Sequence, residues 1–229
     1  MTKHNSGRGN TPGKKDAQPL RILIADDHAL VRKGLRQVLL DELGPVEFGE
    51  ASNAKQVYEL LASNPWDIIL LDLSMPGGAG GLDILKQVKI SVPTARVLVL
   101  SMHPEDQYAE RVLRAGASGY LTKNAASECV GIAIRKVLAG GTYVSTEFAE
   151  TLAEKLSAPQ ASASHQLLSD REYQVLRLIG AGKSVKEISH ELSLSVKTVS
   201  TYRSRLLQKL RLQTSADIIR YALREGLVE

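Results

Sequence analysis

The chain of 229 residues is poor in the features that mark several large protein classes. It holds one cysteine, Cys129, so no internal disulfide can form, and with no ligand set around it the thiol reads as a small core residue in a reducing compartment. No window approaches the roughly 20 consecutive apolar residues of a membrane span. Residues 1–19, MTKHNSGRGNTPGKKDAQP, lack the apolar segment of a secretory signal and are expected as a disordered tail. These absences leave a cytoplasmic protein with no membrane partner.

A strong excess of charge of one sign is also missing: the formal net charge is +4. The charges are unevenly placed, however. Residues 20–158 carry fourteen Lys and Arg against seventeen Asp and Glu, whereas residues 166–229 carry eleven against seven. A mildly acidic body followed by a basic end suggests two domains and a polyanionic partner for the second, although a solvated basic surface fits the charge alone as well.

What is present is a rhythm. Short apolar runs at 21–25, 46–51, 67–72, 96–101 and 118–122 alternate with stretches of helical periodicity, which predicts five strands in a parallel sheet. The runs at 67–72 and 96–101 are nearly all apolar, as in strands covered on both faces, and belong at the centre. After a helix ending near the glycines at 140 and 141, and a short amphipathic piece at 145–156, the segment SAPQASASHQ has no apolar periodicity and reads as a linker. Four short helical patterns follow at 169–180, 184–192, 195–210 and 215–226. Ser169 and Glu172 are spaced as a capping box for the first of them, and a serine caps the last.

The run DIILLD raises the main chemical question, because it ends on a carboxylate, Asp72. Asp26, Asp27, Ser101 and Lys123 also stand at the carboxyl ends of expected strands, where open α/β sheets bind ligands. Each alone has an ordinary use as a helix cap, turn residue or surface charge. Together, three converging carboxylates repel one another and require a cation, and an all-oxygen set suits Mg²⁺. A lysine and a hydroxyl opposite the acids would complete a site for a phosphoryl group, with Asp72 as the attacking carboxylate.

The motifs ILIADDHALVRKGL, DIILLDLSMPGG, VLVLSMH and GYLTK resemble the receiver domain of bacterial two-component response regulators. Residues 167–229 resemble the LuxR-type helix-turn-helix output domain of the NarL/FixJ subfamily. The resemblance implies a flavodoxin-like (CheY-like), doubly wound α/β receiver over residues 20–140, a linker with a short helix over 141–166, and an all-α four-helix DNA-binding domain over 167–229. It implies phosphorylation of Asp72 and Mg²⁺ held by Asp26, Asp27, Asp72 and the backbone carbonyl of Ser74. Lys123 would contact the phosphoryl oxygens, Ser101 would be the switch hydroxyl, and Tyr120 the aromatic that moves inward with it. The implied partners are a sensor histidine kinase, promoter DNA, and a second copy of the chain when it is phosphorylated or DNA-bound. One departure stands out: MPGGAGGLDIL has one residue more than the family pattern and four glycines beside the acid site.

Pattern alone fits the helices at 184–192 and 195–210 equally to a helix-turn-helix and to an ordinary helix pair. By helical spacing Val196, Val199, Leu206, Leu207 and Leu210 face a core, and Lys197, Ser200, Thr201, Ser204 and Arg205 lie opposite. The resemblance puts base reading on Ser200, Thr201 and Ser204, with Lys197, Thr198, Tyr202, Arg203 and Arg205 toward phosphates or the groove edge. Ser and Thr are ambiguous base readers, so no operator sequence follows. The chain is thus read as a regulator rather than an enzyme. A phosphohydrolase using Asp72 would lack a general acid two residues on, where Ser74 stands, and would leave the basic helices unexplained. The nearer rival is a DNA-binding protein with a vestigial acid pocket.

Overall fold

The computed structural model describes residues 19–75, 81–157 and 168–228. The expected tail up to residue 18, the extra glycine within 76–80 and residues 158–166 of the expected linker lie outside them. Five strands, β1 (Leu20–Ala25), β2 (Val46–Ala51), β3 (Ile68–Asp72), β4 (Val97–Ser101) and β5 (Gly119–Thr122), form a parallel sheet in the order β2-β1-β3-β4-β5. Between them run helices α1 (Ala29–Leu43), α2 (Ala54–Ser63), α3 (Gly81–Ser91) and α4 (Glu105–Arg114), and α5 (Lys123–Leu138) follows the last strand.

Alternation along the strands explains how both faces are covered. Ile22, Ile24, Ile68, Leu70, Leu98 and Leu100 pack with Leu35 and Leu39 of α1 and Val130 and Ile134 of α5. Their neighbours Leu23, Ile69, Leu71, Val97 and Val99 turn to the other face, against Val57 of α2, Leu85 of α3 and Val112 of α4. Every residue of β3 and β4 is buried, as two covered faces require. The register aligns the strand ends: Ala25 pairs with Leu71, Asp72 with Leu100, and Ser101 with Thr122. Residues that follow these ends must therefore emerge at one edge of the sheet.

The segment after α5 carries the short helix expected within the linker, but it is held to the receiver. Tyr143 bridges to Gly119, its N–H donating to the Ser118 carbonyl at 3.0 Å and its carbonyl accepting from the Tyr120 N–H at 2.9 Å. Helix α6 (Thr146–Ser157) then docks on α4 through buried Phe148, and the Ser145 N–H donates to Glu105 Oε1. Backbone pairing along an open strand edge needs no particular side chain, so the sequence carries no mark of it.

The C-terminal unit comprises α7 (Asp170–Gly180), α8 (Val185–Glu191), α9 (Val196–Leu210) and α10 (Ser215–Arg224). Ser169 and Glu172 form the expected capping box on α7, and Ser184 with Glu187 forms another on α8. The cap of α10 is Thr214, not the expected serine: its hydroxyl accepts from the Asp217 N–H, while Ser215 Oγ accepts from Arg203 Nε at 2.8 Å. Helices α7 and α10 approach so closely at Gly180 that a Cβ there would lie 2.6 Å from that of Ala222.

A methyl group on Gly119 would meet the Tyr143 carbonyl at 2.6 Å. Gly119→Ala is expected to cost about 1–3 kcal/mol and to speed hydrogen exchange at the Tyr120 and Tyr143 amides. Unchanged exchange at both would mean that the bridge does not form.

Candidate functional site

The sheet order reverses at β1, so the loops after β1 and β3 open a crevice between them at the carboxyl edge. Asp26 and Asp27 leave β1 on one side of it and Asp72 ends β3 on the other, with Asp26 and Asp72 fully buried. Asp26 and Asp27 do not cap α1, whose N-cap is His28 without a side-chain bond. Instead Asp26 Oδ1 accepts from the His28 N–H at 2.8 Å, and Asp72 Oδ1 accepts from the Ser74 N–H at 2.9 Å. Arg32 Nη1 fixes the strand end by donating to the Asp26 carbonyl at 2.8 Å.

Lys123 begins α5 at the next strand end but one, and its Nζ lies 2.7 Å from Asp26 Oδ2 and 2.9 Å from Asp72 Oδ2. One ammonium is thus shared by Asp26 Oδ2 and Asp72 Oδ2, while Asp27 Oδ1 lies 2.9 Å from His28 Nδ1. Burial raises the Asp72 carboxyl above its ordinary range, against the lowering effect of the Ser74 N–H and of Lys123. Burial alone would depress the Lys123 ammonium, but its contacts with Asp26 and Asp72 outweigh this and raise it. A buried pocket with three carboxylates and one ammonium is short of positive charge. Its clustered carboxylate oxygens have the donor chemistry of a hard-cation site.

Ser101 ends β4 fully buried, its Oγ accepting from the His103 N–H at 3.1 Å. Tyr120 is also fully buried, and its hydroxyl donates to the His103 carbonyl at 2.9 Å. His103 thus holds both groups through its backbone, a role the sequence reading missed. Its ring stacks on Tyr108 of α4, with centroids 4.5 Å apart and 18° between planes.

Tyr108 in turn meets the C-terminal unit, edge-on to Tyr173 of α7 at 5.6 Å. Arg111 of α4 lies 4.6 Å above the Tyr173 ring and donates to the Leu168 carbonyl at 2.6 Å. Burial pushes the Tyr108 hydroxyl up to about 12. Nothing in the helical patterns around Tyr108 and Tyr173 separates this contact from ordinary core positions.

On α9, Lys197, Ser200, Thr201, Ser204 and Arg205 are exposed, as their spacing predicts, and Val199, Leu206 and Leu210 are buried. Val196 is a correction: at the first turn it is 51% exposed, because the core begins one turn further on. Three other residues expected near DNA have partners within the protein. Thr198 Oγ1 bonds Ser195 Oγ at 2.8 Å, Tyr202 packs on the core, and Arg203 holds Ser215.

Residues 22–135 match the family model described as response regulator receiver domain, and residues 166–222 match that of bacterial regulatory proteins, luxR family. The chain is similar to the response regulator UvrY of Escherichia coli K12, 38% identical over 91% of this chain and 95% of the relative. It is also similar to the oxygen regulatory protein NreC of Staphylococcus carnosus, 34% identical over 92% and 100%. Among solved structures, RcsB of Salmonella enterica serovar Typhimurium bound to promoter rprA with phosphomimetic BeF3⁻ superposes with a TM-score of 0.58. The two chains are 27% identical over 89% of this one and 98% of the other.

The raised Asp72 carboxyl has a signed consequence. Folding favours its protonated form, so its contribution to stability is full below the ordinary 3.8 and is lost as pH rises through the raised value. In the presence of a chelator, Asp72→Asn should escape that loss and gain roughly 1 kcal/mol over wild type at neutral pH. Urea melts from pH 4 to 7 check this, and parallel curves for the two proteins would contradict it.

Proposed function

The chain belongs to the response regulators that join a receiver domain to a LuxR-type DNA-binding domain, and we propose that Asp72 accepts a phosphoryl group from a sensor histidine kinase to control DNA binding at promoters. The observation that carries this reading is the Asp72 carboxylate at the end of the central strand, buried, with the Lys123 ammonium 2.9 Å away and two further acids across the crevice. Of the two Asp72 oxygens, Oδ1 is engaged by the Ser74 N–H, while Oδ2, on the side of the Lys123 ammonium, is the one to attack phosphorus. The P–N bond to the kinase histidine breaks as the P–O bond forms.

Lys123 faces the incoming phosphoryl oxygens and offsets their charge. Asp26, Asp27, Asp72 and the Ser74 carbonyl would hold Mg²⁺, which when bound neutralises the phosphoryl oxygens in transfer. The fit rests on the clustered carboxylate oxygens of Asp26, Asp27 and Asp72. The encounter with the kinase takes place in the bacterial cytoplasm.

A phosphoryl group adds close to two negative charges and new acceptor oxygens. Ser101 Oγ turns from the His103 N–H to donate to one of them. The His103 loop is thereby released on one side, while Tyr120, already buried, holds it on the other in place of the inward movement that the resemblance implies. Because the His103 ring stacks on Tyr108, the change reaches the contact of α4 with α7. Loosening that contact frees the output domain to pair with a second copy across a two-fold operator. Ser200, Thr201 and Ser204 face the bases, with Lys197 and Arg205 toward phosphates. The expected roles of Thr198, Tyr202 and Arg203 at DNA would require them to share or give up their present partners.

Incubation with Mg²⁺ and a small-molecule phosphodonor should add the mass of one phosphoryl group to wild type and none to Asp72→Asn, and should tighten DNA binding in wild type alone. Mass unchanged with DNA binding intact would support a vestigial pocket instead. Independently, Arg111→Ala removes the bond to Leu168 and the cation over Tyr173. It should raise the DNA affinity of the unphosphorylated protein about fivefold, as the loss of roughly 1 kcal/mol of restraining contact would. Lower or equal affinity in gel-shift titration would show that the contact restrains nothing.

A further inference from the structure

Two hydroxyls on the outer face of α9 are already committed within the helix. Thr201 Oγ1 donates to the Lys197 carbonyl and Ser204 Oγ to the Ser200 carbonyl, each at 3.0 Å. A carbonyl oxygen can only accept, so in both bonds it is the hydroxyl hydrogen that is spent. What each side chain still offers outward is an oxygen lone pair, an acceptor. Both residues are exposed, and standing three apart they share one helix face. The rise between them is about 4.5 Å, near the roughly 3.4 Å step from one base to the next.

That polarity has a consequence in the major groove, where base edges present donors and acceptors in a fixed pattern. Adenine N6 and cytosine N4 carry amino groups that donate, whereas guanine O6 and N7 and thymine O4 accept. An oxygen with only lone pairs to offer gains a hydrogen bond from an amino group and meets like with like at a keto oxygen. To donate to guanine or thymine, the hydroxyl must first release its own carbonyl, and the exchange yields no net bond. A free hydroxyl can donate or accept, which is why Ser and Thr are ambiguous base readers in general. The bonds back to the helix remove that ambiguity here.

We propose that Thr201 and Ser204 read DNA as acceptors only, selecting adenine or cytosine over guanine or thymine at two neighbouring positions of one strand. The proposal rests on reading α9 as the helix that meets the bases, and adds which base edges it takes. Each base pair shows one amino group in the major groove, so what the two hydroxyls sense is the strand on which that group lies.

The test selects from a pool of random-sequence duplex DNA with the full chain, treated with Mg²⁺ and a small-molecule phosphodonor. Wild type, Thr201→Val and Ser204→Ala are compared by sequencing what each retains. Both residues are exposed, so neither substitution disturbs the core. Wild type should enrich a motif in which two neighbouring positions favour adenine or cytosine about fivefold, the worth of one hydrogen bond. Thr201→Val should lose the preference at one of them and Ser204→Ala at the other, with the rest of the motif kept. If the altered positions hold guanine or thymine as readily, or if either variant selects the wild-type motif unchanged, this inference fails and α9 remains the recognition helix. Lys197→Glu tests the underlying reading: if it selects the wild-type motif with undiminished affinity, α9 does not meet DNA and the inference falls with that reading.

Discussion

Everything distinctive in the receiver follows from one electrostatic constraint: three carboxylates are forced into the same crevice by strand register. Asp26 and Asp72 are there because Ala25 pairs with Leu71 across the switch point, not because the acids attract one another. Their repulsion is relieved in part by Lys123, which reaches the same oxygens from the start of α5. Three carboxylates against one ammonium leave a deficit of positive charge that a metal ion would offset.

This imbalance is useful only if it is felt elsewhere, and His103 provides the connection. Its backbone is held by Ser101 on one side and Tyr120 on the other, and its ring forms one layer of a stack that continues through Tyr108 to Tyr173. Burial also lowers the His103 imidazole below its usual range, with Arg177 acting in the same direction, so the ring in that stack is the neutral one. In the proposed switch, a rearrangement of the Ser101 hydroxyl would be conducted through packed aromatic faces rather than through the flexible end of a long side chain.

The pocket was legible in the sequence because strand runs and strand ends are one-dimensional features. Asp72 closes DIILLD, Lys123 follows GYLT, and a parallel sheet brings such ends together without further information. The cap of α7 was legible for the same reason, since the Ser169 hydroxyl stands beside the helix it starts. Contacts made between distant segments were not. The pairing of Tyr143 with β5 uses backbone groups alone, and Tyr108 and Tyr173 read as plain helical apolar positions. Thr214 was missed as a cap because Ser215 beside it is an equally good candidate until Arg203 is seen to occupy its hydroxyl.

The bridge at Tyr143 has a bearing on how the protein behaves in a crowded solution. β5 is the outer strand of the sheet on its side, and an uncovered outer strand offers its amides to any passing chain as a template for cross-β growth. Tyr143 occupies the amide of Tyr120 and the carbonyl of Ser118, the outward-facing groups at the start of that strand. On the opposite side, β2 carries exposed Glu47 and Glu50, ion-paired to Arg21 and to Arg32 and Arg36, a charged and hydrated margin that disfavours stacking. Self-association through extension of the sheet is opposed at both margins, which leaves the helical faces as the surfaces through which two copies can meet without the risk of open-ended aggregation.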